Sequence, residues 1–485
     1  MLDGNAPLDE SFMISVSRVL MFGFDGLRPD LISTASMPCL ARFIREGASY
    51  ANARSVFPSE TRVAIPSLAT GCRPGTHGLV ANSLYDRIAA PQRVLNTKYA
   101  RDIDRLTVAH GRLLAVPSLG ARLAQHNRRL DVVWTGTLGA GRAMFPEAES
   151  FGGFRWHPEE TSKAAQGLEA RFRPVPAAAV PAVERVRYGA RIFLEHVLGE
   201  RRPEVAIFWS SEPDVSYHYR GVGSDEALMA MGEADRAFGE LLAWRDRQPD
   251  REAIVIMALS DHGHITGEQR IDLEATIGAG GFSVGRNFDG GAQFAIGGGG
   301  APGLWQREPD LDEVRRLASW LNGQSWVSLV LSRHEGIART IPLAMLGAQH
   351  QRSPDLAFTF AGSEGPDDRG LPGRGLIEAA DVPLGGGMHG GLHYRELANV
   401  IALAGGPVLG GRRLETPADI TDVAPTVLHL LGLPTDGMDG RPLASAWTEM
   451  ADQAPARSII RHGKTALSMF DLGGGVQRPD RLLLD

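Results

Sequence analysis

Lysine is nearly missing from this chain: Lys98, Lys163 and Lys464 are its three lysines. Arginine is left to meet any anion. Long basic runs are missing too, and a formal net charge of −7 argues against a nucleic-acid polymer as partner, because phosphate-backbone binding needs a concentrated basic face. Cysteine is limited to Cys39 and Cys72, too few for a disulfide framework, so nothing demands an oxidising compartment. Both read as small buried hydrophobes. No apolar stretch approaches the length of a membrane span. The opening MLDGNAPLDESF carries acids where a secretory leader would carry bases. Together these absences predict a soluble, cytoplasmic protein that uses neither a membrane nor nucleic acid, and they leave room for a homodimer.

What is present is an alternation of short apolar runs with helical patterns, the mark of parallel strands joined by crossovers. Strands are expected at Val19 to Phe24, Leu130 to Trp134, Val205 to Trp209, Ile254 to Leu259 and Asn399 to Ala404. Between them, segments such as MPCLARFIREG and ALMAMGEADRAFGELLAWR repeat apolar residues at helical spacing. From about Gly267 the character shifts to short β-like pieces and glycine clusters such as FAIGGGG. The reading is an α/β fold, a large mostly parallel central sheet sandwiched by helices, with core segments at 17–265 and 384–450. An inserted cap at 266–383 would shape a pocket. The tail at 451–485 offers no pattern.

Chemistry gathers where strands end. Asp25 follows the first strand in DGLRPD; Asp214 and His218 follow the third in EPDVSYH; Asp261 and His262 follow the fourth in SDHGH. Strand ends line the functional crevice of an α/β sheet, so these groups can meet. Carboxylates and imidazoles together suit zinc, with manganese or iron also accommodated. Five donors exceed one tetrahedral site, which points to two divalent ions. A sixth donor is available at His389 in the glycine-rich GGGMHGG. Beside them, FPSETRVAIPSLATG ends an extended run, turns, and starts a helix at Thr61, whose hydroxyl reads as a nucleophile. The first N–H groups of that helix would hold a phosphoryl oxygen.

With these residues in view, DGLRPD, FPSETRVAIPSLATGCRPGTHGLVAN, EPDVSYH, SDHGH and GGMHGG resemble, in order and spacing, the type I phosphodiesterase and nucleotide pyrophosphatase family of the alkaline phosphatase superfamily. The resemblance implies an alkaline phosphatase-like fold and a phosphodiesterase working through a phosphothreonine. It implies Thr61 as nucleophile and Asn82 as the side chain binding a non-bridging phosphoryl oxygen. One zinc would be held by Asp25, Asp261, His262 and Thr61, the other by Asp214, His218 and His389. At Arg62, Val63 and Ala64 the sequence departs from the Phe-Pro-Asn familiar in eukaryotic members.

Other readings stay open. A strand-end Asp is often a helix cap, and Thr61 could be an N-cap. His264 and His393 lie near the proposed ligands, His264 as a neighbour of the site or a solvated residue. Cys72 in CRPGT invites a sulfatase reading, weakened because the fifth position is Thr76. Arg62 could meet substrate charge and favours a phosphomonoester or phosphonate substrate, whereas the lack of lysine near the metal motifs favours a diester. A non-catalytic binding protein of the same fold is the reading from a different class.

Overall fold

The strand Arg18–Phe24 is buried along its whole length, and its alternating side chains feed two separate cores. Val19 and Met21 join one apolar cluster; Leu20, Phe22 and Phe24 join another, as the period of two requires. Such a strand has to lie in a sheet covered on both faces. The computed structural model describes residues 16–485 apart from Arg173, Met450, Ala451, Gln453, Lys464 and Asp485. The reading of a leaderless N-terminus lies outside the described residues. Among those described, no helix is long and apolar enough to cross a membrane.

The main sheet has nine strands in the order Arg412–Leu414, Ala48–Tyr50, Ile401–Ala404, Ile254–Leu259, Arg18–Phe24, Val205–Ser210, Leu130–Trp134, Phe154–His157 and Glu160–Thr161. Its central pairs are parallel, so the mostly parallel expectation holds. One anticipated strand departs from it: Ile401–Ala404 runs antiparallel to both neighbours. The chain enters that strand at the edge where Ile254–Leu259 ends, straight from the short helix Tyr394–Leu397. No crossover carries it back, so its direction reverses.

Helices Thr61–Thr70, Leu119–Gln125, Leu138–Met144 and Val423–Leu430 cover one face. Pro38–Glu46, Val183–Arg191 and Asp225–Asp246 cover the other. Helix Thr61–Thr70 closes on Gly71, whose φ of 66° is the left-handed conformation a side chain resists. Between the strands Ile254–Leu259 and Ile401–Ala404 the chain builds two smaller sheets, of four and six strands, with an apolar core of their own around Leu273, Val314, Leu317 and Phe358.

The segment beyond Ala451, patternless in sequence, forms an antiparallel sheet of Ala456–His462, Thr465–Asp471 and Gln477–Leu483. Its hold on the core is partly ionic, which explains the weak apolar signal. Arg478 makes a bidentate pair with Asp422 at 2.5 and 2.7 Å. Arg54 reaches Asp480 Oδ1 at 2.7 Å, both side chains almost fully buried. The Leu482 N–H also donates to the Leu392 carbonyl, tying this sheet to the segment that carries His389. Removing one partner of a buried pair strands the other charge. Asp480→Ala should therefore lower stability by about 3–5 kcal/mol in urea unfolding, and a loss under about 1 kcal/mol would contradict the role given to the pair.

Candidate active site

Three adjacent central strands deliver the site. Asp25 directly follows Phe24, Asp261 and His262 lie just past Leu259, and Asp214 opens helix Asp214–Arg220 just past Ser210. His218 stands one turn on from Asp214, which places the two on one helix face, with Nε2 3.3 Å from Asp214 Oδ1. His389 arrives on a loop pressed close to other backbone: a Cβ on Gly300 would lie 1.9 Å from the His389 carbonyl oxygen. Its ring stacks on His262 with centroids 3.7 Å apart, and its Nε2 is 3.6 Å from Asp214 Oδ1. All six anticipated donors thus meet at one place.

The orientation of the rings bears on whether metal ions fit. His262 Nδ1 lies 3.1 Å from the Gly263 carbonyl, His218 Nδ1 2.7 Å from that of Gly387, and His389 Nδ1 2.8 Å from that of Ser59. A carbonyl only accepts, so these bonds put a proton on each Nδ1 and leave the lone pair of each neutral ring on Nε2, although, against its burial, the neighbouring Asp214 shifts the His218 ring toward its protonated form. Those lone pairs face carboxylate oxygens, His262 Nε2 standing 3.2 Å from Asp261 Oδ2. Asp261 Oδ2 is buried with no hydrogen-bond partner among the described residues. Lone pair against anion is repulsive unless a cation lies between them, so this donor set fits divalent ions. Two groupings could each hold one: Asp214 with His218, His264 and His389, and Asp25 with Asp214 and His262.

The protonation equilibria carry the same strain. Burial, reinforced by the Asp261 and Asp214 carboxylates, pushes Asp25 well above the usual carboxylate range; burial raises Asp261 as well. Burial would raise Asp214 too, but His218 and His264 hold it well below. Burial, with His262 and His264 alongside, drives His389 well below the usual imidazole range.

Thr61 begins its helix with Oγ1 3.0 Å from His262 Nε2 and 3.5 Å from Asp25 Oδ1. Asn82 accepts the Arg62 N–H on Oδ1 at 3.1 Å, which leaves its amide NH2 as the group it can offer. Of the first helical N–H groups expected to hold a phosphoryl oxygen, two are engaged within the protein, that of Arg62 with Asn82 and that of Val63 with the Glu60 carbonyl. The Arg62 guanidinium is half-buried, with Nε donating to Thr97 Oγ1 at 3.1 Å. Burial lowers its pKa, while Glu60, Asp214 and Asp25 pull it back up.

Some contacts were not anticipated. His264 is fully buried, not solvated, and its Nε2 lies 2.9 Å from Asp214 Oδ1. Burial brings it to about 3. Glu60 is buried and accepts the Asn82 N–H on Oε2, with burial raising it to about 7. The Trp209 indole donates to Asp25 Oδ2 at 3.1 Å. A glycine inside the otherwise large-residue strand VLMFGF was the available hint, since it marks a close approach. His393 lies outside the cluster and caps helix Tyr394–Leu397. His77 is buried against Ser67, Cys72 is buried and Cys39 half-buried, and both thiols are free.

A sequence profile for type I phosphodiesterase / nucleotide pyrophosphatase matches residues 19–338. The bis(5'-adenosyl)-triphosphatase enpp4 of Mus musculus is 25% identical over 283 residues, 56% of this chain and 52% of that protein. Venom phosphodiesterase of Macrovipera lebetinus is 23% identical over 249 residues, 51% of this chain and 25% of that protein. The chain thus spans about half the length of the first relative and a quarter of the second. Among solved structures, an inactive variant of murine ectonucleotide pyrophosphatase / phosphodiesterase 5 bound to AMP superposes with TM-score 0.62 at 15% identity, covering 89% of this chain and all of that one. The human counterpart gives 0.61 at 15% identity, over 87% and 97%. At that identity the likeness is one of fold.

The loop after His389 is held by Glu396, which accepts the N–H groups of Gly391 and His393 at 2.8 and 3.1 Å. Burial raises Glu396 to about 7 from an ordinary 4.5. A folded-state pKa above the unfolded one contributes stability that is complete below about pH 4.5 and lost as pH rises through about 7. The urea midpoint of metal-free protein should therefore carry a component that declines between about pH 5 and 8. Glu396→Gln should decline less steeply, and an identical slope would contradict this placement of Glu396.

Proposed function

The chain belongs to the type I phosphodiesterase / nucleotide pyrophosphatase family, and on that premise we propose that it hydrolyses phosphodiesters with Thr61 as nucleophile beside two divalent ions. The observation carrying this reading is the Thr61 hydroxyl, 3.0 Å from the bare Nε2 of His262 and 3.5 Å from Asp25. Asp25, Asp261, His262 and Thr61 would hold one ion and Asp214, His218 and His389 the other. Zinc suits the mixed oxygen and nitrogen donors, and manganese or iron are accommodated. Such ions supply Lewis acidity and positive charge where the phosphoryl group reacts.

Thr61 Oγ1 forms a bond to phosphorus as the bond to the leaving alcohol oxygen breaks, giving a phosphothreonine. Water then attacks phosphorus from the opposite side and releases Thr61, so two inversions give net retention. The Asn82 amide NH2 donates to a non-bridging oxygen, held in place because its carbonyl is occupied by the Arg62 N–H and its own N–H by Glu60. Arg62, anchored through Nε to Thr97, presents its remaining N–H groups to substrate charge. The relatives' names make adenosine-containing diesters and polyphosphates the first substrates to try. Arg62 also supports a second reading, a phosphomonoester or phosphonate hydrolase, because a dianion uses an additional cation.

Zinc-loaded protein should turn over bis(p-nitrophenyl) phosphate in preference to p-nitrophenyl phosphate, and Thr61→Ala should lower the rate on the order of 10³-fold or more. A monoester preference lost in Arg62→Ala would favour the second reading. Full activity in Thr61→Ala would refute both.

A further inference from the structure

We propose that Trp209 is a positioning residue for Asp25: its indole N–H fixes Oδ2 and thereby turns Oδ1 toward Thr61 and His262. The inference rests on the reading of this site as a metal centre. Asp25 Oδ2 receives the Trp209 Nε1–H at 3.1 Å, while Oδ1 lies 3.5 Å from Thr61 Oγ1 and 3.8 Å from His262 Nε2. The two oxygens therefore have separate tasks, one held by protein and one presented to the cluster. Gly136 backs the held oxygen: a Cβ there would lie 3.3 Å from Oδ2.

Three neighbouring strands supply the device. Trp209 pairs in register with Gly23 on one side and with Trp134 on the other. The Trp209 ring lies across the backbone of Gly23, where a Cβ would come within 1.9 Å of Cε3. Strand Arg18–Phe24 thus gives up a side chain at the residue that lets the indole reach the carboxylate two positions on. Trp134 stacks on Trp209 with centroids 5.1 Å apart and planes inclined by 7°, and both side chains are fully buried. Trp134 Nε1, in the same stack, is buried without a hydrogen-bond partner among the described residues, so of the two indoles it is Trp209 that holds the carboxylate. Groups that orient a ligand from behind commonly change metal affinity 10- to 100-fold when removed.

The test is zinc titration of metal-free protein by calorimetry with a competing chelator, comparing wild type, Trp209→Phe and Trp134→Phe. Trp209→Phe deletes the donor and keeps a ring; Trp134→Phe deletes a stacking partner and keeps the donor. Trp209→Phe should weaken one of two zinc sites by about 10- to 100-fold and leave the other within about threefold, whereas Trp134→Phe should leave both within about threefold. Equal weakening in both variants would reduce the role to packing and overturn the proposal, as would wild-type affinities in Trp209→Phe. Failure of wild type to bind zinc, manganese or iron would instead defeat the metal reading beneath it. If Trp209→Phe does not fold, Trp209→Tyr, closer in size and without a donor at the Nε1 position, carries the same comparison.

Discussion

Three carboxylates crowd together at the ends of three adjacent strands with little water to screen them, and the rest of the site is arranged around that repulsion. Asp25 and Asp261 are held above the usual carboxylate range by burial, and Asp214 escapes only through two imidazoles. Burying like charges is expensive unless cations join them. The imidazoles of His218 and His264 offset the charge of Asp214, while burial still holds Asp25 and Asp261 raised. Divalent ions would offset what repulsion remains, and a hydroxyl beside them would be placed where it can lose its proton.

Holding such a cluster requires rigid support, and the fold supplies it from several directions. Parallel strands buried on both faces fix Asp25, Asp214 and Asp261 relative to one another. Helix Thr61–Thr70 packs its apolar residues on one face of that sheet, which fixes the hydroxyl. His389 depends on a less regular segment, held by Glu396, by the Ser59 carbonyl and by the C-terminal sheet. The ionic contacts of Arg54 and Arg478 therefore belong to the same structural chain as the candidate metal donors, although they lie well apart from them in sequence.

Much of this was legible in the sequence because the signals were local. Continuous apolar runs announced the central strands, with Leu130–Trp134 and Ile254–Leu259 read to the residue, and each acid stood within a few residues of its strand end. What escaped depends on neighbours distant in the chain. The direction of Ile401–Ala404 follows from the edge at which the chain enters it. ARSIIRH carries no buried apolar face because it is an outer strand of its sheet, exposed or half-buried along its length. His264 touches Asp214 across fifty positions, and Glu60 reaches the Asn82 backbone across twenty-two. Gly23 marked a close approach without saying that an indole made it.

The central claim is that these side chains form one centre for two divalent ions beside Thr61. Crystals of zinc-loaded protein measured at the zinc absorption edge test it most directly. The account predicts two anomalous peaks per chain, one among Asp214, His218 and His389 and one among Asp25, Asp261 and His262, with Thr61 next to the second. A single peak enclosed by Asp214, His218, His264 and His389, or no peak at the strand ends, would contradict it.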